Sequence, residues 1–474
     1  MPLVKTIGVN LLPRYRTPQV PYHDILEGWM HVGFDAQKSL EVFRKLLANS
    51  KTPAEHPFFR LDGFADGGML VSQRTLFPKR VGWTLQWVST DPHIRLSVSL
   101  GSREARLVAD VVRTAAHAHD LKDLVRELGE TSSWFPVQWD PINRRRTVGW
   151  PTRSGAGIYR REHASVLIRS ETTSVLVDPI PLLRELPLAK APLDDLSSEV
   201  GAILITHSHG DHWHIPSIIS STARNPRVPV IVPEVPRPNL LCRAEFQKDL
   251  SQVGQTSRTL RWGETLSVGD IEIDALPFYG EQPLRDIDAV PEGVRSWGNC
   301  YRVTTPQFSV LLLVDSGADP AGDMLNVVSA SYDKRGPVDA LLACGRSFAC
   351  PFFGGLEYYW AAIPFATLQK AFAQYERGTL PFVTAGPRGI VELCRAAKAK
   401  FFLSYANGFE GVSVPISNVG WSGPEPSEKH VNAEIAKLFR SHKAATRVLS
   451  WNPGDVARLH RGQFTVGIGR DARQ

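Results

Sequence analysis

Between residues 206 and 214 the chain carries Thr206-His207-Ser208-His209-Gly210-Asp211-His212-Trp213-His214, directly after the apolar run Ala202-Ile203-Leu204-Ile205. Imidazoles and a carboxylate gathered this closely make chemical sense as metal donors, because neutral imidazole nitrogen and ionised carboxylate oxygen both bind first-row metal ions well. His207 and His209 are two residues apart, so an extended backbone points both rings to the same side. Asp211 and His212 follow a glycine, where the chain can bend sharply, and they can face a second point close to the first. The spacing predicts a dinuclear site. A polar loop with hydrogen-bonded histidines would account for one such residue but not for the set. His214 lies beyond a motif already complete, and is expected to support it from outside or to be unrelated.

Such a loop needs a rigid element behind it. The Ala202 to Ile205 run predicts a buried strand ending at a sheet edge, from which a loop can aim several side chains at one point. Ala164 to Ile168 and Ser174 to Val177 predict a hairpin closed by Asp178-Pro179, and Glu162-His163 just before it is a further candidate for the mouth of the site. Downstream, Val228 to Val232 predicts a short strand and Cys242 to Val253 a helix. Asp270 to Leu276 alternates and ends in Pro277-Phe278-Tyr279-Gly280-Glu281-Gln282; Phe308 to Val314 is a continuous apolar strand ending in Asp315-Ser316-Gly317. Lys400 to Leu403 predicts a late strand leading into Ser404-Tyr405-Ala406-Asn407-Gly408. No histidine occurs between His214 and His430. His430, His442 and His460 fall in helix-like or terminal contexts.

The stretch His207 to His212 resembles the metal-binding motif of the metallo-β-lactamase superfamily. The resemblance implies an α/β fold, the αββα sandwich with two metals at its edge, over residues 151–474, preceded by a smaller α+β domain over residues 1–150. It further implies that Asp178 supports a histidine ligand from beneath and that Asp315 bridges both metals. Hydrolytic members would have histidines near Glu281 and after the late strand; this chain has neither. The ligand set implied is therefore His207, His209, Asp211, His212, Glu281 and Asp315, three imidazoles and three carboxylates, with Asp286 or Asp288 as substitutes for Glu281. Asp211 and Glu281 are also the candidates for a catalytic role. A carboxylate-rich set is harder and more anionic than a zinc hydrolase site and suits higher-valent iron, with zinc or manganese as the alternative metals. The missing last histidine leaves an open position of the kind dioxygen requires.

Those departures, with Pro277 to Glu281, Asp315-Ser316-Gly317 and Tyr405 to Gly408, resemble a smaller group in the superfamily, the diiron β-hydroxylase of chloramphenicol biosynthesis and its relatives. The group implies His207, His209, Glu281 and Asp315 around one iron, and Asp211, His212 and Asp315 around the other, with no further protein ligand named for the second. It implies a dinuclear iron oxygenase acting on a small molecule or on an amino acid held by a carrier protein, with an external electron donor. The alternative is a dinuclear hydrolase cleaving an ester, lactone, thioester or phosphodiester with a metal-bridging hydroxide.

Composition bounds the rest. At 474 residues, with 43% hydrophobic and 22% charged residues, the chain is an ordinary globular protein with room for two or three domains. It has no apolar run long enough to span a bilayer and no apolar leader, so the cytoplasm is expected and a membrane partner is not. Five cysteines without Cys-x-x-Cys offer no thiolate zinc site. A net charge of +6 permits an acidic partner, and apart from Arg144-Arg145-Arg146 the basic residues are dispersed, which argues against nucleic acid. In the N-terminal third, Asp35 to Ala48 and Arg103 to Leu128 predict helices and Ile94 to Leu100 a strand. His117, His119 and Asp120 imitate the metal motif, but on a helix residues two apart point away from each other. A homodimer through this N-terminal part is one expectation, substrate docking another. Pro351 to Trp360 is an aromatic run that could line an apolar pocket.

Overall fold

In a computed structural model the described residues are 6–16, 22–48, 56, 58–89, 95–115, 155–180, 200–286, 290–348, 361–407, 427–460 and 463–468. The chain starts with a three-stranded antiparallel sheet, β1 (Thr6–Tyr15), β2 (Arg80–Ser89) and β3 (Arg95–Leu100), followed by the helix Ser102–Ala115. Between β1 and β2 the described residues form the helices Tyr22–His31 and Ala36–Leu47 and two single turns, Gly63–Asp66 and Gln73–Leu76; Asp35 caps the second helix by accepting from the Lys38 amide. The predicted helix from Arg103 is present as far as Ala115; the rest of its expected span to Leu128, with His117, His119, Asp120, Arg144 to Arg146 and Pro351 to Trp360, lies outside the described residues.

Two larger sheets follow. The first contains β4 (Gly157–Arg160), β5 (Val166–Arg169), β6 (Ser174–Val177), β7 (Ala202–Leu204), β8 (Val230–Pro233) and β9 (Ser257–Leu260). The second contains β10 (Thr265–Val268), β11 (Ile271–Pro277), β12 (Asn299–Thr304) and β13 (Ser309–Val314). A small β14–β15 pair (Ala318–Asp319, Gly322–Asp323) follows before the second sheet continues through β16 (Ala340–Ala343), β17 (Phe401–Ser404) and β18 (Arg447–Val448). The chain then returns to the first sheet as β19 (Asp455–His460) and β20 (Gln463–Ile468), and β19 pairs antiparallel with β4. It therefore crosses the first sheet from β4 to β9, enters the second at its β10 edge, leaves at β18 and comes back beside its own beginning.

Period-two patterning explains why the sheets stack. In β13, Val310, Leu312 and Val314 face the first sheet, in a core shared with Val166, Ile168, Val175, Val177 and Leu204. Leu311 and Leu313 point the other way, against the helices Met324–Arg335 and Gly386–Ala396. Likewise Ile203 and Ile205 meet the helices Ile215–Ser221 and Phe246–Gln252 while Ala202 and Leu204 face inward. A strand buried on both faces reads as a continuous apolar run, as Ser309–Val314 does. The result is helix, sheet, sheet, helix, the expected four layers.

The N-terminal sheet packs on the outside of this sandwich: Leu11, Trp83, Leu85 and Val108 share a core with Trp213, Ile218, Phe246 and Leu250. Arg80 pairs with the fully buried Asp249, and the Trp83 indole donates to Gln252 over 2.9 Å. The helix expected from Cys242 begins only at Phe246. The reason is local: Asn239 Oδ1 takes the amides of Leu241 and Cys242, holding that segment in a turn. No helix among the described residues is long and apolar enough to cross a membrane.

Candidate metal centre

The site is built where both sheets end. Asp178 follows β6, and its carboxylate accepts from the Thr206 amide (2.8 Å) and the Thr206 hydroxyl (2.5 Å). The same carboxylate lies 2.9 Å from His212 Nδ1. These contacts settle two tautomers. Since Thr206 Oγ1 spends its only proton on Asp178, it can only accept from His207 Nδ1, 3.0 Å away, so His207 Nε2 carries a lone pair. His212 Nδ1 donates to Asp178, which frees His212 Nε2 in the same way. Asp178 thus supports the site from beneath, as expected.

The freed nitrogens face other acceptors. Glu281 Oε2 lies 2.9 Å from His209 Nδ1 and 3.2 Å from His207 Nε2, and those two nitrogens are 3.0 Å apart. His212 Nε2 lies 3.1 Å from Asp315 Oδ2. On the other side, His163 Nε2 is 3.2 Å from Asp211 Oδ2 and 3.3 Å from His212 Nε2. Donors held about 2.1 Å from a first-row ion sit about 3.0 Å apart at a right angle and about 3.4 Å at the tetrahedral angle. The observed separations fall on those values. Glu281 Oε2 is buried with no hydrogen-bond partner, so a lone pair aimed at two nitrogens is left for a cation. The residues therefore fit divalent metal ions, in one group of His207, His209 and Glu281 and another of His163, Asp211 and His212, joined through His207, His212 and Asp315.

Charge follows the geometry. Burial pushes His207 toward the neutral form, and the neighbouring His212 and His209 rings add to this. For His212 burial acts the same way, but Asp211 and the bonds to Asp178 and Asp315 outweigh it and raise the ring well above its usual value. Burial would raise Glu281; the His209 and His207 rings instead hold it down at about 2. Asp211 is held well below the carboxylate range against its burial, chiefly by His212 and His163. The carboxylates here are anions that need a positive partner, either protons on imidazole or metal ions.

Backbone shape places the two late carboxylates. Glu281 has φ 48° and follows Gly280 at φ 99°; a Cβ on Gly280 would stand 2.5 Å from the Gly317 nitrogen and 2.6 Å from the Val383 oxygen. Gly317 donates to the Tyr279 carbonyl over 2.7 Å, so the Glu281 and Asp315 turns are clamped to each other. Val314 has φ 52°, and the register between β13 and β16 shifts there, turning Asp315 out of the strand toward His212.

All six expected residues come together. His214 does not join them: its Nδ1 accepts from the Ser217 amide and caps the helix Ile215–Ser221. Asp286 pairs with Arg285 on the surface, and Asp288 lies outside the described residues. His430 lies in the first turn of the helix Glu428–Ser441 and His442 caps its end, and neither is among the donor groups; His460 is the last residue of β19. The sequence reading undervalued one residue. His163 brings a fourth imidazole to the second group, where the resemblance named no further ligand. Its signal was its place directly before the largely apolar run Ala164 to Ile168, and in the structure every residue from Tyr159 to Ile168 is buried.

Residues 173–325 match the model of the β-lactamase superfamily domain. No curated protein matches the chain significantly. Among solved structures, CmlA, a diiron beta-hydroxylase from Streptomyces venezuelae, is similar over 94% of this chain and 97% of its own, with TM-score 0.54 and 17% identity. A mutant of the CmlA beta-hydroxylase gives TM-score 0.52 at 15% identity over 94% of this chain and 98% of its own. A possible metal-dependent hydrolase from Veillonella parvula covers 64% of this chain and 100% of its own, with TM-score 0.41 and 13% identity. At these identities the likeness is one of fold. Residues 173–325 match a β-lactamase superfamily domain, and the two stacked sheets that follow the N-terminal sheet take the metallo-β-lactamase fold.

Proposed function

We propose that the chain is a dinuclear iron oxygenase of the hydroxylase type, acting on a small molecule or on an amino acid tethered to a carrier protein, with electrons from a separate donor. The observation that carries this reading is Glu281, a buried carboxylate set 2.9 Å and 3.2 Å from two imidazoles that a hydrolase site would match with a third. Carboxylate donors stabilise higher-valent iron better than a nitrogen-rich shell does. The fold likeness to a diiron β-hydroxylase over nearly the whole of both chains is consistent with it. A reduced iron pair supplies dioxygen activation toward hydroxylation of a C–H bond.

The protein's own part is to hold, orient and exclude. In this reading His207, His209, Glu281 and Asp315 would hold one ion, and Asp211, His212 and Asp315 the other; Asp178 and Thr206 fix the two tautomers that face them. Asp211, His209 and Glu281 have the most exposed side chains of the set, at 22%, 13% and 11%, so substrate reaches the centre from their side. His207 and His212 are sealed behind them and keep bulk water from the far face.

A specific observation favours the second reading, a dinuclear hydrolase. His163 makes the donor set four imidazoles against three carboxylates, closer to what zinc accepts. The two readings separate when the protein is produced with iron and zinc both present and the bound metals are quantified. Iron occupancy with an absorption band that responds to dithionite and then to dioxygen is expected. Zinc occupancy without such a band would sink the oxygenase.

A further inference from the structure

We infer that His163 is a direct ligand of the second metal ion, completing with Asp211 and His212 a group of three donors. The inference rests on the dinuclear reading above and adds to it a residue far from the motif in sequence.

The geometry is that of a ligand. His163 Nε2 stands 3.2 Å from Asp211 Oδ2 and 3.3 Å from His212 Nε2, while His212 Nε2 stands 3.1 Å from Asp315 Oδ2 and 3.9 Å from Asp211 Oδ2. The His163, Asp211 and His212 donor atoms all lie within 4.8 Å of one another, close enough to share one first-row ion, and Asp315 approaches the same His212 nitrogen from the other side. With its other nitrogen donating to Asp178, the His212 ring offers a cation its Nε2 lone pair once a metal displaces the second proton. A single proton between His163 and His212 could relieve one of these contacts; a cation relieves them together.

The chain is built to put the ring there. His163 lies at the tip of the β4–β5 hairpin, where the Ser165 amide donates to the Glu162 carbonyl over 2.8 Å. Hairpin tips are normally solvated, yet His163 is 2% exposed. It takes φ 49° at the first central position of the turn, a place glycine usually fills. Its carbonyl is held by the Ala406 amide at 3.3 Å, and Ala406 itself has φ 58°. Among the described residues, five of the eight non-glycine positions with positive φ are His163, Asp178, Glu281, Val314 and Ala406, all at or against this centre. Strain gathered at one place marks a site whose geometry the rest of the fold enforces. Ala406 closes the late strand, where the motif's last histidine would be expected; here that strand instead props up an imidazole from the opposite sheet.

The test uses metal alone on the full chain. Apo protein is titrated with Co(II), following uptake calorimetrically and counting coordinated imidazoles by X-ray absorption. His163→Gly suits the positive φ and leaves the turn intact; His163→Asn, also tolerant of that φ, is the second variant. Wild type is expected to take two equivalents. Both variants should keep the first and bind the second about 100-fold more weakly or worse, beyond the 10–100-fold range of an outer-shell partner, with one fewer imidazole counted. Added imidazole should restore the second equivalent in His163→Gly. Two full equivalents in the variants overturn the inference alone, and so does a weakened second ion with an unchanged imidazole count, which would make His163 a positioning residue. A wild type that binds fewer than two overturns the dinuclear reading and the inference with it.

Discussion

Asp178 shows how much one side chain can decide. With a single carboxylate it anchors Thr206, fixes the His212 tautomer and, through Thr206, that of His207. Asp178→Asn keeps the shape and tolerates its φ of 39°, but removes the charge that holds the His212 Nδ1 proton. Metal affinity is expected to fall about 10–100-fold with folding retained, as read by competition with a chromogenic chelator. An unchanged affinity would mean that the tautomers are set elsewhere. At this scale legibility depended on sequence distance. His207, His209, Asp211 and His212 are legible because their spacing is itself the signal. Glu281 and Asp315 needed the resemblance, since a carboxylate after a strand is also an ordinary turn residue. His163 is used only because a hairpin from one sheet and the end of β17 in the other meet, and such a meeting leaves no local pattern.

Elements were legible where burial is one-sided or complete. The alternation of Asp270 to Leu276 and the apolar run to Val314 located β11 and β13 within a residue or two. The helix after Asn239 was misplaced because a side chain, not the periodicity, chose its start. The seam between the N-terminal sheet and the helix Phe246–Gln252 was not legible, since nothing in a sequence says which arginine will meet which buried aspartate. Arg80 and Asp249 are 9% and 0% exposed as side chains. Removing one partner of a buried pair costs about 3–5 kcal/mol, so Arg80→Met should lower stability by that order in chemical denaturation. The loss should also depend on pH. Burial raises the Asp249 carboxyl to about 7 from a usual value of 3.8, so its contribution to stability is full below about pH 4 and is lost as pH rises through 7. Without Arg80 the buried anion is worse still, and Arg80→Met should be more damaging at pH 8 than at pH 5. Equal losses at both would show that Asp249 does not ionise there.

Across the whole molecule the donor set divides cleanly. Every imidazole, with Asp211, comes from the first sheet; the second contributes only Glu281 and Asp315. Bound ions therefore neutralise anions that the second sheet pushes into the junction, and loading should stabilise the fold as a unit. At a free metal concentration about 100 times Kd the gain is about 2.7 kcal/mol. Thermal unfolding should rise accordingly on loading and fall on chelation, and a midpoint indifferent to metal would contradict a centre shared between the sheets. The fold class was legible from one loop and a few apolar runs. The return of the chain as β19 beside β4 was not, because pairing between strands so far apart is decided by closure of the sandwich.

That closure bears on how metal leaves. Because His207 and His209 come from the first sheet and Glu281 from the second, neither sheet alone holds that group of donors, and an ion bound there would sit on the parting line between two incomplete receptors. Exchange of that ion with solution is then expected to need the two sheets to part at that line as well as loss of its exposed ligands, and whatever slows the parting should lengthen the lifetime of the loaded centre.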